Sequence, residues 1–296
     1  MTTLRKKLIQ ELVLRGYSPK TEEAYVAAVA GLAKFYNRGP EMLADEEIKA
    51  YLFALHTEGC RAASTLNVAV SGLRFFYRHV LGRSFESIES GLPRVKKPIR
   101  RPRIYSREEI ARLLKIGCHH PKHRVFLMTV YSAGMRLNEA CHLKLEDIES
   151  DRMQIRVEQG KGRKDRYTIL SQHLLEELRR YWRCFRPRLW LFPGSRDFQK
   201  PLSDGTAQKI FYKSLRRAGL ANKGGIHCLR HSFATHLMES GVEIHVLKRL
   251  MGHSSLSTTA GYLHVTQQQM TRIKSPLDAI DFSTDLSAKE ASLSQS

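Results

Sequence analysis

The stretch Pro93-Arg-Val-Lys-Lys-Pro-Ile-Arg-Arg-Pro-Arg103 constrains the fold more than any other part of the chain. Each proline fixes its own φ, removes a backbone donor and disfavours helix at the residue before it. Six basic side chains, with no acid among them, repel one another and extend the segment further. Neither a helix nor a central strand passes through such a segment, so the chain is expected to fold as two bodies. These are residues 1–92 and 104–274, joined by the linker 93–103 and followed by a tail, 275–296. The linker reads both as a solvated spacer and, beside a polyanion, as a source of phosphate contacts.

The first body reads as four helices with compact turns, a small bundle. Leu4, Leu8, Leu12 and Val13 form a stripe that stops at Gly16. Ser18-Pro19 is a helix start, with Tyr25, Val29, Leu32 and Phe35 or Tyr36 inward. Asp45 opens a third helix (Ile48, Leu52, Leu55). Ser64 opens a fourth (Leu66, Val70, Leu73, Phe76, Tyr77, Val80), ending at Gly82.

The second body starts with a capping box, Ser106-Arg-Glu-Glu109. An apolar helix covers Val125 to Tyr131, and Arg136 follows the helix-ending Gly134. Met153, Ile155 and Val157 alternate, as do Tyr167 and Ile169, so a β-hairpin is expected. Gly160-Lys161-Gly162 forms its tip, and Lys161 projects from it. Ser171 caps a helix with Leu174, Leu175, Leu178 and Trp182 inward, and another runs from about Asp204 to Ala218. The fold class is therefore mostly α with a small antiparallel sheet (α+β).

Charge narrows the partner. The chain holds 49 Lys+Arg against 29 Asp+Glu, a formal net charge of +20, which favours nucleic acid or an anionic surface. A membrane is disfavoured, because there is no apolar run of about 18 residues and no signal-peptide pattern, and a cytoplasmic location is expected. The five cysteines are scattered without a C-x-x-C pair, which argues against a zinc ribbon.

The most informative chemistry lies between His227 and Tyr262. His227 and Arg230 are three apart and share a helix face, Gly252 ends the next helix and leaves His253 on a turn, and Tyr262 follows a Ser/Thr-rich run. Taken singly, Tyr262 reads as a packed aromatic and His253 as a helix cap. Together, imidazole, guanidinium, imidazole and phenol suit attack of tyrosine on a phosphodiester. This order, His-x-x-Arg, then Gly-His, then Tyr, resembles the signature of the tyrosine recombinases, the phage integrase family. Gly134-x-Arg136-x-x-Glu139 resembles the family's first arginine motif, and Gly160-Lys161-Gly162 its lysine turn. Met251 departs from the common Leu. The length and compactness resemble Xer-type recombinases and the integrases of integrons and transposons.

The resemblance implies a SAM-like core-binding bundle and a tyrosine recombinase catalytic domain. It implies that Arg136 and Arg230 hold the scissile phosphate and that His227 takes or gives a proton. It further implies that His253 bonds a phosphate oxygen, that Lys161 acts as general acid with Lys164 as rival, and that Tyr262 is the nucleophile. Glu139 is expected to brace its neighbours, and His231, His236 and His264 to be structural. Removing either arginine is expected to cost little stability. No metal or cofactor is expected, and no ATP either, since a 3′-phosphotyrosyl link conserves the bond energy. The implied partner is double-stranded DNA carrying specific sites, with a tetramer assembled on two sites through the tail. The tail's apolar Leu277, Ile280, Phe282 and Leu286 suit docking, while its serines suit disorder. A type IB topoisomerase or a non-catalytic DNA-binding protein remain the alternatives. A metal-dependent transposase is disfavoured for want of an Asp/Asp/Glu trio.

Overall fold

Four serines set helix starts, each accepting a backbone N–H three residues on: Ser18 from Thr21, Ser106 from Glu109, Ser171 from Leu174 and Ser203 from Thr206. The computed structural model describes residues 2–57, 63–83, 103–158, 165–253, 255 and 259. By its contacts the chain divides into two compact units, Met1–Arg100 and Arg101–Ser296. The linker lies outside the described residues except for Arg103, and the whole tail does.

The first unit holds α1 (Thr3–Leu14), α2 (Pro19–Tyr36), α3 (Asp45–Thr57) and α4 (Ala63–His79). Leu8, Leu12, Leu32, Ile48, Leu73 and Phe76 are among the residues that fill its core. Helices α2 and α4 approach closely at Gly72, where a Cβ would stand 3.1 Å from the Tyr25 backbone. Val13 and Phe35 face solvent. Tyr36 takes the inward place instead, its hydroxyl donating to the Glu47 carbonyl at 2.8 Å.

The second unit begins with α5 (Arg107–Arg112), whose capping box has both halves formed. A π-turn, Leu113–Gly117, continues it. Gly117 is needed there, because a Cβ would meet the Ser214 carbonyl at 2.4 Å. Next come α6 (Pro121–Ser132) and the short α7 (Leu137–Cys141). The antiparallel sheet follows, with β1 (Ile148–Glu149), β2 (Gln154–Val157) and β3 (Arg166–Ile169) in that order. Helices α8 (Gln172–Phe185), α9 (Asp204–Arg217), α10 (His227–Glu239) and α11 (Ile244–Met251) complete it. The fold is mostly α with a small antiparallel sheet, as the periodicities imply.

Two local expectations are corrected. Trp182 is 40% exposed, and Tyr181 occupies the buried position with Leu174 and Leu178. The stripe at i, i+4 and i+7 selects Tyr181, while the Arg186 guanidinium covers the Trp182 ring at 4.2 Å. In β3 the apolar Tyr167 and Ile169 face outward and Thr168 is buried. Its hydroxyl donates to the Ala133 carbonyl at 2.8 Å, so polar partners rather than hydrophobicity set the strand's parity. Strand β1, two residues long, has no alternation to announce it. Among the described residues, no helix is long and apolar enough to cross a membrane. Cys118, Cys141, Cys184 and Cys228 are free thiols.

Candidate active site

The site is built where α7 begins and α11 ends. Gly134 ends α6 with φ +58°, a left-handed value that favours glycine, and a Cβ there would stand 2.3 Å from the Phe233 ring. Arg136 then becomes the N-cap of α7, and Glu139 folds back to accept its backbone N–H at 2.8 Å. The Glu139 carboxylate also accepts from the Arg136 guanidinium at 2.6 Å. Arg166, at the start of β3, donates to both of its oxygens, at 2.8 and 2.7 Å. Arg230 of α10 stands 3.9 Å away. Three guanidinium groups thus surround one carboxylate that is 7% exposed.

The same three arginines hold the end of α11. Arg166 Nε donates to the Leu250 carbonyl at 3.1 Å, Arg230 to the Met251 carbonyl, and Arg136 to the Gly252 carbonyl at 2.9 Å. Cations at a helix C-terminus satisfy carbonyls that have no partner within the helix and complement its dipole. Gly252 closes the helix at φ +58°, where a Cβ would press on the Arg166 side chain at 2.6 Å. The chain then turns, and His253 follows directly. Its Nδ1 lies 3.0 Å from Oγ1 of the buried Thr259.

Electrostatics follow from this crowding. Burial alone would raise the Glu139 carboxyl. The hydrogen bonds and charge of Arg166, then the bonds from Arg136, override it and hold the pKa at about 2. Burial of His253, with the Arg230, Arg136 and Arg166 charges, lowers its pKa to about 4. Partial burial and then the Arg230 and Arg136 charges also lower that of His227, which begins α10. Both imidazoles are therefore neutral near pH 7, and each can accept or donate a proton.

The structure brings Arg136 and Arg230 together beside Glu139 and sets His253 directly after the helix end they hold, with His227 close enough to feel both of their charges. Lys161, Lys164 and Tyr262 lie outside the described residues. Arg230 is 5% exposed and also donates to the Gly134 carbonyl. The expectation that its removal costs little stability is therefore corrected, because truncation strands two buried carbonyls. His236 packs as a structural residue, its Nδ1 2.9 Å from the Tyr131 hydroxyl. Sequence reasoning passed over Arg166 and Thr259. The only signal for Arg166 is its place two residues before Thr168, on the same face of β3, and the apolar alternation pointed to the opposite face.

Comparison with known proteins agrees with this architecture. Residues 104–269 match the model described as "Phage integrase family", and residues 4–87 the model "Phage integrase, N-terminal SAM-like domain". A Sinorhizobium fredii protein described as an integrase/recombinase is 39% identical over 281 residues, covering 95% of this chain and 90% of that protein. Tyrosine recombinase XerA of Thermococcus kodakarensis is 34% identical, covering 91% of this chain and 93% of that one. Among solved structures, a lambda integrase tetramer bound to a Holliday junction superposes with a TM-score of 0.69 at 21% identity. That match covers 86% of this chain and 77% of that one, and it speaks for the fold alone. The chain belongs to the phage integrase family, the site-specific tyrosine recombinases.

Proposed function

We propose that this enzyme breaks and rejoins double-stranded DNA at specific sites through a 3′-phosphotyrosyl intermediate on Tyr262, without metal or ATP. The observation that carries the reading is the convergence of two guanidinium groups and a neutral imidazole at the end of α11, on α7, α10 and the turn after Gly252. Cleavage of a phosphodiester places growing negative charge on the nonbridging oxygens, and forked arginine donors stabilise it most in the transition state. Arg136 and Arg230 are assigned that task, exchanging their backbone partners for the phosphate.

With the Thr259 hydroxyl donating to Nδ1, the other ring nitrogen of His253 carries the proton and donates to a phosphate oxygen. A neutral His227 takes the phenolic proton as Tyr262 attacks, and Lys161 returns a proton to the leaving 5′-oxygen. The oxygen–phosphorus bond to tyrosine forms as the bond to the 5′-oxygen breaks, and a 5′-hydroxyl of another strand reverses the step. The net charge of +20 supports tracking of the DNA backbone. Residues 1–92 serve as the core-binding domain, 93–103 as the linker and 104–274 as the catalytic domain. Assembly on two sites is proposed to be tetrameric.

Incubation with a nicked duplex bearing a candidate site, in EDTA, tests the reading. The nick lets the cleaved fragment diffuse away, so a covalent protein–DNA band is expected to accumulate. A band that appears only with added divalent ion contradicts it.

A further inference from the structure

Arg166 is 10% exposed, and each of its three nitrogens faces a protein acceptor. Nε bonds the Leu250 carbonyl, while the two terminal nitrogens bond opposite oxygens of Glu139. A guanidinium engaged in this way is poorly placed to fork onto a phosphate. Its partners nonetheless belong to the site: Glu139 braces Arg136, and the Leu250 carbonyl lies three residues before His253.

We propose that Arg166 is a positioning residue for strand cleavage: it saturates Glu139, which leaves the charge of Arg136 and Arg230 for the phosphate, and it anchors the α11 end that presents His253. This rests on the proposed reading of the site.

Charge carries the argument. One carboxylate among three guanidinium groups leaves two positive charges in excess, matching the two nonbridging oxygens to be neutralised. Without Arg166, the buried carboxylate draws on Arg136, which already bonds it, and on Arg230, 3.9 Å away. One positive charge in excess then remains, and both forks are pulled away from the substrate. The anchoring follows from the position of Arg166. It opens β3, so it ties that strand to the helix end that precedes His253. Lysine at 166 cannot replace it, having one nitrogen to serve three acceptors.

A double-mutant cycle on the full-length protein tests the role, read as the single-turnover rate of covalent complex formation on saturating nicked DNA. Loss of stability alone does not move this rate once the protein is folded and bound. Arg166→Met is expected to slow cleavage by about 10²-fold, the scale of a misplaced catalytic group. DNA affinity should stay within about threefold, because it rests on many phosphate contacts. Adding Glu139→Gln restores the two-charge excess, so the double variant should recover at least about tenfold over Arg166→Met. If Arg166→Met does not bind DNA, Arg166→Gln, with the same charge and a remaining donor, takes its place in the cycle.

A double variant no faster than the single overturns the charge-saturating role. Cleavage by Arg166→Met within about threefold of the parent overturns any role for Arg166 in positioning. A parent protein that forms no covalent complex overturns the reading of the site itself, and this role with it.

Discussion

At the scale of single residues, the site turns on Glu139. Its carboxyl is held at about 2 rather than 4.5 in the folded protein, which corresponds to stability on the order of 3 kcal/mol. Because the folded pKa is depressed, that contribution is complete above about pH 4.5 and is lost as the pH falls toward 2. Urea unfolding at pH 7, 4 and 3 should therefore show the parent losing stability more steeply than Glu139→Gln. Parallel losses would contradict the assignment. Arg230→Lys should cost about 2–4 kcal/mol, since two buried carbonyls lose a forked donor. In protein that remains folded, it should also slow cleavage by about 10²-fold or more. Near-parental cleavage would remove the forked contact from the account. Arg136, Arg230 and His253 could be picked out because Gly-x-Arg, His-x-x-Arg and Gly-His occur together in the order that resembles the family's motifs, although each taken singly reads as ordinary. Arg166 could not, because nothing local in the sequence tells a buried arginine with three acceptors from the basic Arg163 and Lys164 that precede it.

At the scale of elements, two left-handed glycines set the site's geometry. Gly134→Ala combines a strained backbone with a methyl group 2.3 Å from the Phe233 ring. It should destabilise the protein by about 2–4 kcal/mol in denaturant unfolding, whereas a loss below about 0.5 kcal/mol would show that the turn is not held as described. Caps made the helices legible: Ser18, Ser106, Ser171 and Ser203 each stand where a hydroxyl can reach the N–H three residues on. Hydrophobic phase was less informative at the surface. Trp182 reads as core by composition but is displaced by Tyr181, one position closer to the true stripe. Strand β3 reversed its apolar parity because Arg166 and Thr168 have polar partners inside.

At the scale of the whole molecule, the two units each have a core that their own sequence encodes, and assembly on two sites is proposed to use the tail. Deleting residues 275–296 should leave binding to a single site intact and weaken formation of a paired complex on a native gel, since the few apolar residues there suit a neighbour's groove better than a core. Unchanged pairing and recombination would leave the tail without a role in assembly. The central claim, a covalent bond between this chain and DNA through one tyrosine, is tested most directly by mass spectrometry of the trapped complex after nuclease and protease digestion. The account predicts a nucleotide joined through its 3′-phosphate to Tyr262, and no such adduct in Tyr262→Phe. An adduct on any other residue, or one that survives that substitution, would contradict it.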